Sequence, residues 1–214
     1  MNIQLDKVKV KRGLLALSAQ GNFCEGMHLV RGPVGSGKST LALVMAGLIS
    51  PLEGTIDRKD ITSCMLSLQF PEYHITGQTL AEECRSWGLE PDLLLSAEGF
   101  LRKSGENPLK LSRGELKRLH LACVLAKRYD LLLLDEPFSA LDCCQKEIFC
   151  KRLSGSCDGI TIIFTHEQEI LPPIDRFWGI RDGMLADLGK QPSTTGSHDV
   201  TRRIEGKSGD PEDE

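Results

Sequence analysis

What this sequence lacks narrows its chemistry first. No apolar run reaches the length of a membrane span, and the N-terminus has no signal-peptide hydrophobic region. Work at a membrane would therefore require docking through a partner. None of the eight cysteines forms a C-x-x-C pair. Cys143, Cys144, Cys150 and Cys157 fit a helix followed by a loop, so reduced cysteines in a cytosolic interior are expected rather than zinc or an iron–sulfur cluster. Positive charge is short: 26 Lys and Arg stand against 30 Asp and Glu, a net charge of −4. With aromatics at only 5%, there is no basic aromatic stripe, and no nucleic-acid partner is expected.

What is present centres on Gly32, Pro33, Val34, Gly35, Ser36, Gly37, Lys38, Ser39 and Thr40. A glycine, four variable residues and Gly-Lys-Ser is the spacing of a phosphate-binding loop. The short apolar run Met27–Val30 precedes it as a buried strand, and Leu41–Ala46 follows as the start of a long helix. Glycines let the backbone wrap and turn successive N–H groups toward phosphate oxygens, and the helix start adds unpaired N–H groups. Lys38 suits the β- and γ-phosphates; Ser39 offers a hydroxyl to Mg²⁺.

The rest of the 214 residues form one principal domain around this loop. Residues 3–10 alternate as a half-solvated strand, and Leu14, Leu15, Leu17 and Gly21–Phe23 suit further short strands, so an antiparallel sheet is expected beside the nucleotide. Residues 63–68 form a strand that delivers Gln69. The segment 72–128 reads as a mainly helical insertion, with Leu116, Leu119 and Cys123 on one face of its strongest helix. Residues 129–136 form a buried strand ending in Asp135 and Glu136. A helix over 141–153 carries Cys144, Ile148 and Leu153 as inward contacts. Residues 160–165 form a second central strand ending at His166, and 175–188 a strand and hairpin around Asp182-Gly183. Strands alternating with helices predict an α/β fold with a largely parallel sheet. From residue 192 to 214 the core-building residues vanish, which predicts a flexible acidic tail.

The acids and amides at the strand ends converge on the edge where open α/β sheets bind ligands. Asp135 is expected to stabilise a magnesium-bound cluster. Glu136 is expected to orient water and accept its proton. Gln69 is expected to sense magnesium and water, and His166 to bond the γ-phosphate or fix the geometry.

Leu111-Ser112-Arg113-Gly114-Glu115, taken with the phosphate loop, Gln69, Asp135-Glu136, Ser139–Asp142 and His166, strongly resembles the ATP-binding-cassette ATPase family over residues 3–188. The resemblance implies a nucleotide-binding domain over residues 1–191 that binds and hydrolyses ATP with Mg²⁺. It also implies a head-to-tail pair, of identical or different ATPase subunits, in which Ser112 and Gly114 of one chain complete the other's site and Asp142 couples the two. Two departures stand out. Arg113 replaces the family's first signature glycine and Glu115 its terminal glutamine, while Lys11-Arg12 offers no aromatic residue beneath adenine.

Gln69–Tyr73 and Ile75–Glu83 look like the corresponding stretch of energy-coupling-factor transporters. That resemblance implies a peripheral subunit at the cytoplasmic face of the membrane. It would dock on a transmembrane T component beside a separate substrate-binding membrane subunit, energising uptake of a metal ion or vitamin. The alternatives are a soluble cassette ATPase in DNA repair or ribosome-associated work, and an ATP-dependent dimerisation switch. No long coiled-coil insertion favours the DNA-repair branch.

Overall fold

The computed structural model describes residues 1–13, 15–155, 158–167 and 169–190. Its antiparallel part is built from β1 (Asn2–Arg12), β2 (Leu15–Cys24) and β4 (Glu53–Lys59). The stretch expected as several short strands is thus one ten-residue strand, β2, paired along its length with β1. The register of β1 shifts between Leu5 and Val8, where Lys7 takes φ 49°. Opposite that bulge only a glycine fits: a Cβ on Gly54 (φ 83°) would lie 2.3 Å from the Asp6 carbonyl oxygen.

The parallel part contains β3 (Gly26–Arg31), β5 (Cys64–Ser67), β6 (Leu131–Asp135) and β7 (Ile160–Thr165). A closing hairpin, β8 (Arg176–Arg181) and β9 (Met184–Gly189), turns at Asp182-Gly183. The nine strands run in the order β4-β1-β2-β9-β8-β3-β7-β6-β5. β5, β6, β7, β3 and β8 are parallel neighbours, whereas β9 meets β2 at a single bridge, Ser18 to Met184. β6 and β7 are buried throughout, so period-2 alternation sends their side chains into two cores. Leu131 and Leu133 enter the core with β1, β2 and α1 (Lys38–Met45); Leu132 and Leu134 enter the opposite one.

α1 is eight residues, not the long helix expected. Gly47, at φ 80°, ends it: its N–H donates to the Val44 carbonyl and the Leu48 N–H to that of Leu43, a left-handed close that turns the chain away. Arg58 from β4 donates to the Val44 carbonyl as well and satisfies one more, that of Met45. Between β5 and β6 the regular elements are all helical: a 3₁₀ turn Pro71–His74, α2 (Leu80–Ser86), α3 (Pro91–Ala97), two more 3₁₀ turns and α4 (Arg113–Leu125). Leu116, Leu119 and Cys123 do share a buried face of α4, against Leu80, Cys84, Leu95 and Phe100.

α5 (Cys143–Ser154) corrects the expected inward set. Cys144 and Ile148 face outward, and Phe149, Cys150 and Leu153 enter the second core. Leu141 belongs to the preceding turn and Asp142 caps the helix through the Gln145 N–H, so the helical register begins two residues later than the apolar pattern suggested. The tail over 192–214 and the cysteine at 157 lie outside the described residues. Among the described residues no group of His, Cys, Asp and Glu has the makings of a metal cluster.

Candidate nucleotide site

The phosphate loop joins β3 to α1. Gly35 (φ 81°) and Gly37 (φ 103°) occupy backbone regions closed to L side chains, and a Cβ on Gly37 would also press on Leu15. Val34 stands out in solvent, whereas Lys38 and Thr40 are buried. The Lys38 ammonium donates to the carbonyls of Gly32 (2.8 Å) and Pro33 (3.2 Å), so the loop curls around its own cation. Ser39, one residue on, is exposed at the first turn of α1.

Asp135 ends β6 and Glu136 follows it at φ 46°, a left-handed conformation that is strained for a side-chain-bearing residue. That turn aims the Glu136 carboxylate across to the end of β7. Oε2 accepts from the Thr165 hydroxyl (2.7 Å); Oε1 lies 2.7 Å from His166 Nδ1 and accepts from the His166 N–H (3.1 Å). The Lys38 ammonium lies 3.7 Å from Oε1. An acid held this way cannot swing and keeps an acceptor oriented.

Asp135 is buried, and its Oδ1 has no hydrogen-bond partner. Burial raises its pKa, while the Ser39 hydroxyl and the Lys38 cation oppose that shift. An orphaned carboxylate oxygen beside a hydroxyl is a hard oxygen donor set, the kind Mg²⁺ takes. The residues present therefore fit the ion.

The sheet thus brings Gly32–Thr40, Asp135, Glu136 and His166 to the carboxyl ends of β3, β6 and β7. Gln69 follows β5, the neighbour of β6, and is exposed. Its backbone carbonyl accepts from the Lys117 ammonium at 3.0 Å. Ser112 and Gly114 sit apart at the start of α4. Ser112 caps that helix, and a Cβ on Gly114 would lie 2.9 Å from the Ala140 carbonyl oxygen, so the turn after Glu136 packs closely there. The Ser112 hydroxyl is committed to its own helix: it donates to Glu115 Oε2 (2.8 Å) and accepts from the Glu115 N–H (3.3 Å). The Ser112 N–H also reaches Oε2 (2.9 Å), and Lys103 holds Oε1 (2.8 Å). Lys103, with help from both Ser112 donors, lowers the Glu115 pKa to about 2.

Two residues escaped the sequence reading. Thr165 was legible only as the last residue of a strand, although its place directly before His166 was a signal. Lys117 reads as one more charge on an amphipathic helix, yet it is 1% exposed. Burial lowers its pKa to about 8, against the opposing pull of Asp135, Glu136 and Glu72.

The chain matches a family model, that of the ABC transporter, over residues 24–139, a stretch that contains the phosphate loop, Gln69, Ser112 and the Asp135-Glu136 pair. The chain belongs to the ABC transporter family. It is 30% identical over 190 residues to a thiamine import ATP-binding protein, ThiQ, of Cereibacter sphaeroides, covering 78% of this chain and 82% of that one. It is 32% identical over 180 residues to ATP-binding cassette sub-family C member 2 of Homo sapiens, covering 75% of this chain and 11% of the human protein. Of two further relatives, from Pyrococcus furiosus and Mycolicibacterium paratuberculosis, the chain spans 55% and 50% of the length. Its fold is that of a solved structure described as a putative cobalt transport ATP-binding protein, with a TM-score of 0.68 and 24% identity over 86% of this chain and 79% of that one. That neighbour shares the ABC ATPase architecture seen here, a mixed sheet with antiparallel N-terminal strands and flanking helices.

Proposed function

We propose that this ABC-family chain binds and hydrolyses ATP and so energises a membrane importer, of the energy-coupling-factor type that takes up a metal ion or vitamin. The observation that carries the reading is the Glu136 carboxylate, fixed by Thr165 and His166 beside the buried Lys38 ammonium at the sheet edge. Gly32–Thr40 cradle the phosphates with backbone N–H groups and Lys38 neutralises their charge. Ser39, Gln69 and Asp135 would hold Mg²⁺, which supplies charge neutralisation at the phosphate oxygens when bound. Glu136 orients the attacking water and takes its proton; His166 holds the carboxylate in line.

The nucleotide-binding domain runs over residues 1–191, with the helical insertion at 72–128 and an acidic tail from 192. Two such chains, or this one and a related ATPase subunit, pair head to tail so that Ser112 and Gly114 complete the opposite site. A 170 Å³ hollow lined by Gln69, Phe70, Pro71, Glu72, Arg113, Lys117, Ser139 and Ala140 supports docking of a transmembrane T component near Gln69. Beside it Phe70 and Tyr73 stay 42% and 74% exposed, an edge-to-face aromatic pair open to a partner. Among the described residues no helix is long and apolar enough to cross a membrane. On this reading the chain works at the cytoplasmic face through its partners, with a second membrane subunit choosing the cargo. ATP binding closes the pair and hydrolysis reopens it.

Glu136→Gln tests the chemistry. It should retain MgATP binding and lose turnover by about 10²-fold or more, the scale of general-base loss. Unchanged turnover would remove Glu136 from the role. ATP-driven uptake by the reconstituted membrane complex tests the transport reading; recovery on ribosomes or DNA without membrane association would replace it.

A further inference from the structure

The helix that Ser112 caps is also fastened to the end of β5 and to the residues that lead from it to Gln69. Lys117, one turn into α4, buries its ammonium and donates to the Gln69 carbonyl at 3.0 Å. His120, a turn further on, lies 2.9 Å from the Ser67 hydroxyl through Nε2. Its ring stacks on His74, centroids 4.5 Å apart, and His74 Nε2 accepts from the Leu68 N–H at 2.9 Å. Burial holds both imidazoles below the usual histidine pKa, so the stack is one of neutral rings. Ser67, Leu68 and Gln69 are thus gripped in sequence. The two histidine-borne contacts are neutral, whereas the Lys117 contact carries a charge at the residue expected to sense the nucleotide.

We propose that Lys117 is a positioning residue: its ammonium tethers Gln69 to α4, so that Ser112 moves with the state of this chain's own nucleotide site. The inference rests on the proposed ATPase function. A charged donor on a buried side chain releases its acceptor reluctantly, because the ammonium of Lys117, a residue 1% exposed, would have to give up a charge-assisted bond with little water to replace it. A shift of Gln69 toward a nucleotide and its ion therefore drags α4 rather than breaking the bond. Ser112 lies five residues before Lys117, about 7.5 Å along the helix axis, and a helix of this length transmits such a shift as a rigid body. The site that Ser112 completes on another subunit then registers the occupancy of the first.

Two substitutions in the full chain separate tether from packing. Lys117→Met keeps the length and loses the donor; Lys117→Gln keeps an N–H donor for the Gln69 carbonyl without the charge. The methionine variant should lower kcat by about tenfold or more, the effect of one charge-assisted hydrogen bond, with KM for MgATP within about twofold. The glutamine variant should recover most of that loss. A folded methionine variant with wild-type kcat would overturn the tether, as would a loss expressed only in KM or a glutamine variant as slow as the methionine one.

A second readout does not need turnover. The chain has two tryptophans, and Trp87 donates its indole N–H to Glu83 (2.7 Å) while packing edge-on against His120. With ¹⁵N-labelled indoles, MgATP should shift the Trp87 signal in the wild-type and glutamine forms and leave it in place in the methionine form. An equal shift in all three would overturn the proposal. A wild-type chain that binds MgATP without turning it over would count against the ATPase reading alone, and the indole signals would still decide Lys117.

Discussion

Replacing Glu115 with glutamine should move two properties in opposite directions. The carboxylate takes two hydrogen bonds from Ser112 on one oxygen and the Lys103 ammonium on the other. Its pKa falls from 4.5 to about 2, led by Lys103. At full value that shift corresponds to about 3.4 kcal/mol, at 1.36 kcal/mol per unit. The side chain is 33% exposed and Lys103 39%, so water screens the pair and about 1 kcal/mol remains, the usual worth of a helix cap. The sign follows from the depressed pKa: this stability is fully present above pH 4.5 and is lost as pH falls toward about 2. Glu115→Gln should therefore lower stability in urea by about 1 kcal/mol at neutral pH, with the gap closing in acid.

The opposite shift concerns pairing. While Glu115 holds the Ser112 hydroxyl proton, a phosphate oxygen arriving from another subunit must compete with a carboxylate and face its charge. The glutamine variant removes the charge and weakens the competing bond by about 1–2 kcal/mol, so ATP-dependent pairing should tighten by about tenfold. Sedimentation with MgATP, in a Glu136→Gln background that prevents turnover, reads this directly. Stability that falls as expected while pairing is unchanged or weaker would refute the reasoning, because Glu115 would then serve the trans site by holding Ser112 in place.

Thr165→Val removes the donor to Glu136 Oε2 at nearly constant volume; kcat should fall by about tenfold while MgATP affinity, measured by calorimetry in the absence of turnover, stays within about twofold. Asp130 takes the Thr62 hydroxyl and the Thr62 and Ser63 N–H groups on one oxygen, chiefly the hydroxyl lowering its pKa from 3.8 to about 2. It stabilises the fold above pH 3.8 and loses that role as pH falls through about 2, so Asp130→Asn should flatten the acid limb of thermal stability in that window and an unaltered limb would exclude the staple.

The parts that could be read in advance are those whose physics is local. A glycine-rich turn between an apolar strand and a helix, or four leucines followed by two acids, specifies its conformation within a few residues. The fold class and the strand ends carrying Gln69, Asp135 and His166 followed from that. Errors came where a neighbour elsewhere in the chain decides. β2 is continuous because β1 pairs with it throughout, and Gly47 stops α1 with Arg58 closing its last carbonyls. On α5 the cap at Asp142 shifted the register and put Phe149 and Cys150 inward. Lys117 was invisible for the same reason: its partner, the Gln69 carbonyl, lies 48 residues away in the chain.

Between β2 and β9, among the described residues, the two halves of the sheet meet at one bridged pair and at the Ser18 N–H donating to the Gly183 carbonyl at 2.7 Å. Apart from the two Arg58 hydrogen bonds to the end of α1, what keeps the antiparallel half seated is the greasy interior it shares with α1 and Trp178, and contacts of that sort have no preferred direction. A slide of a fraction of an ångström there breaks no ladder, unlike the same slide between β6 and β7. Leu15, resting on Gly37, would hand such a slide straight to the bend that holds phosphate.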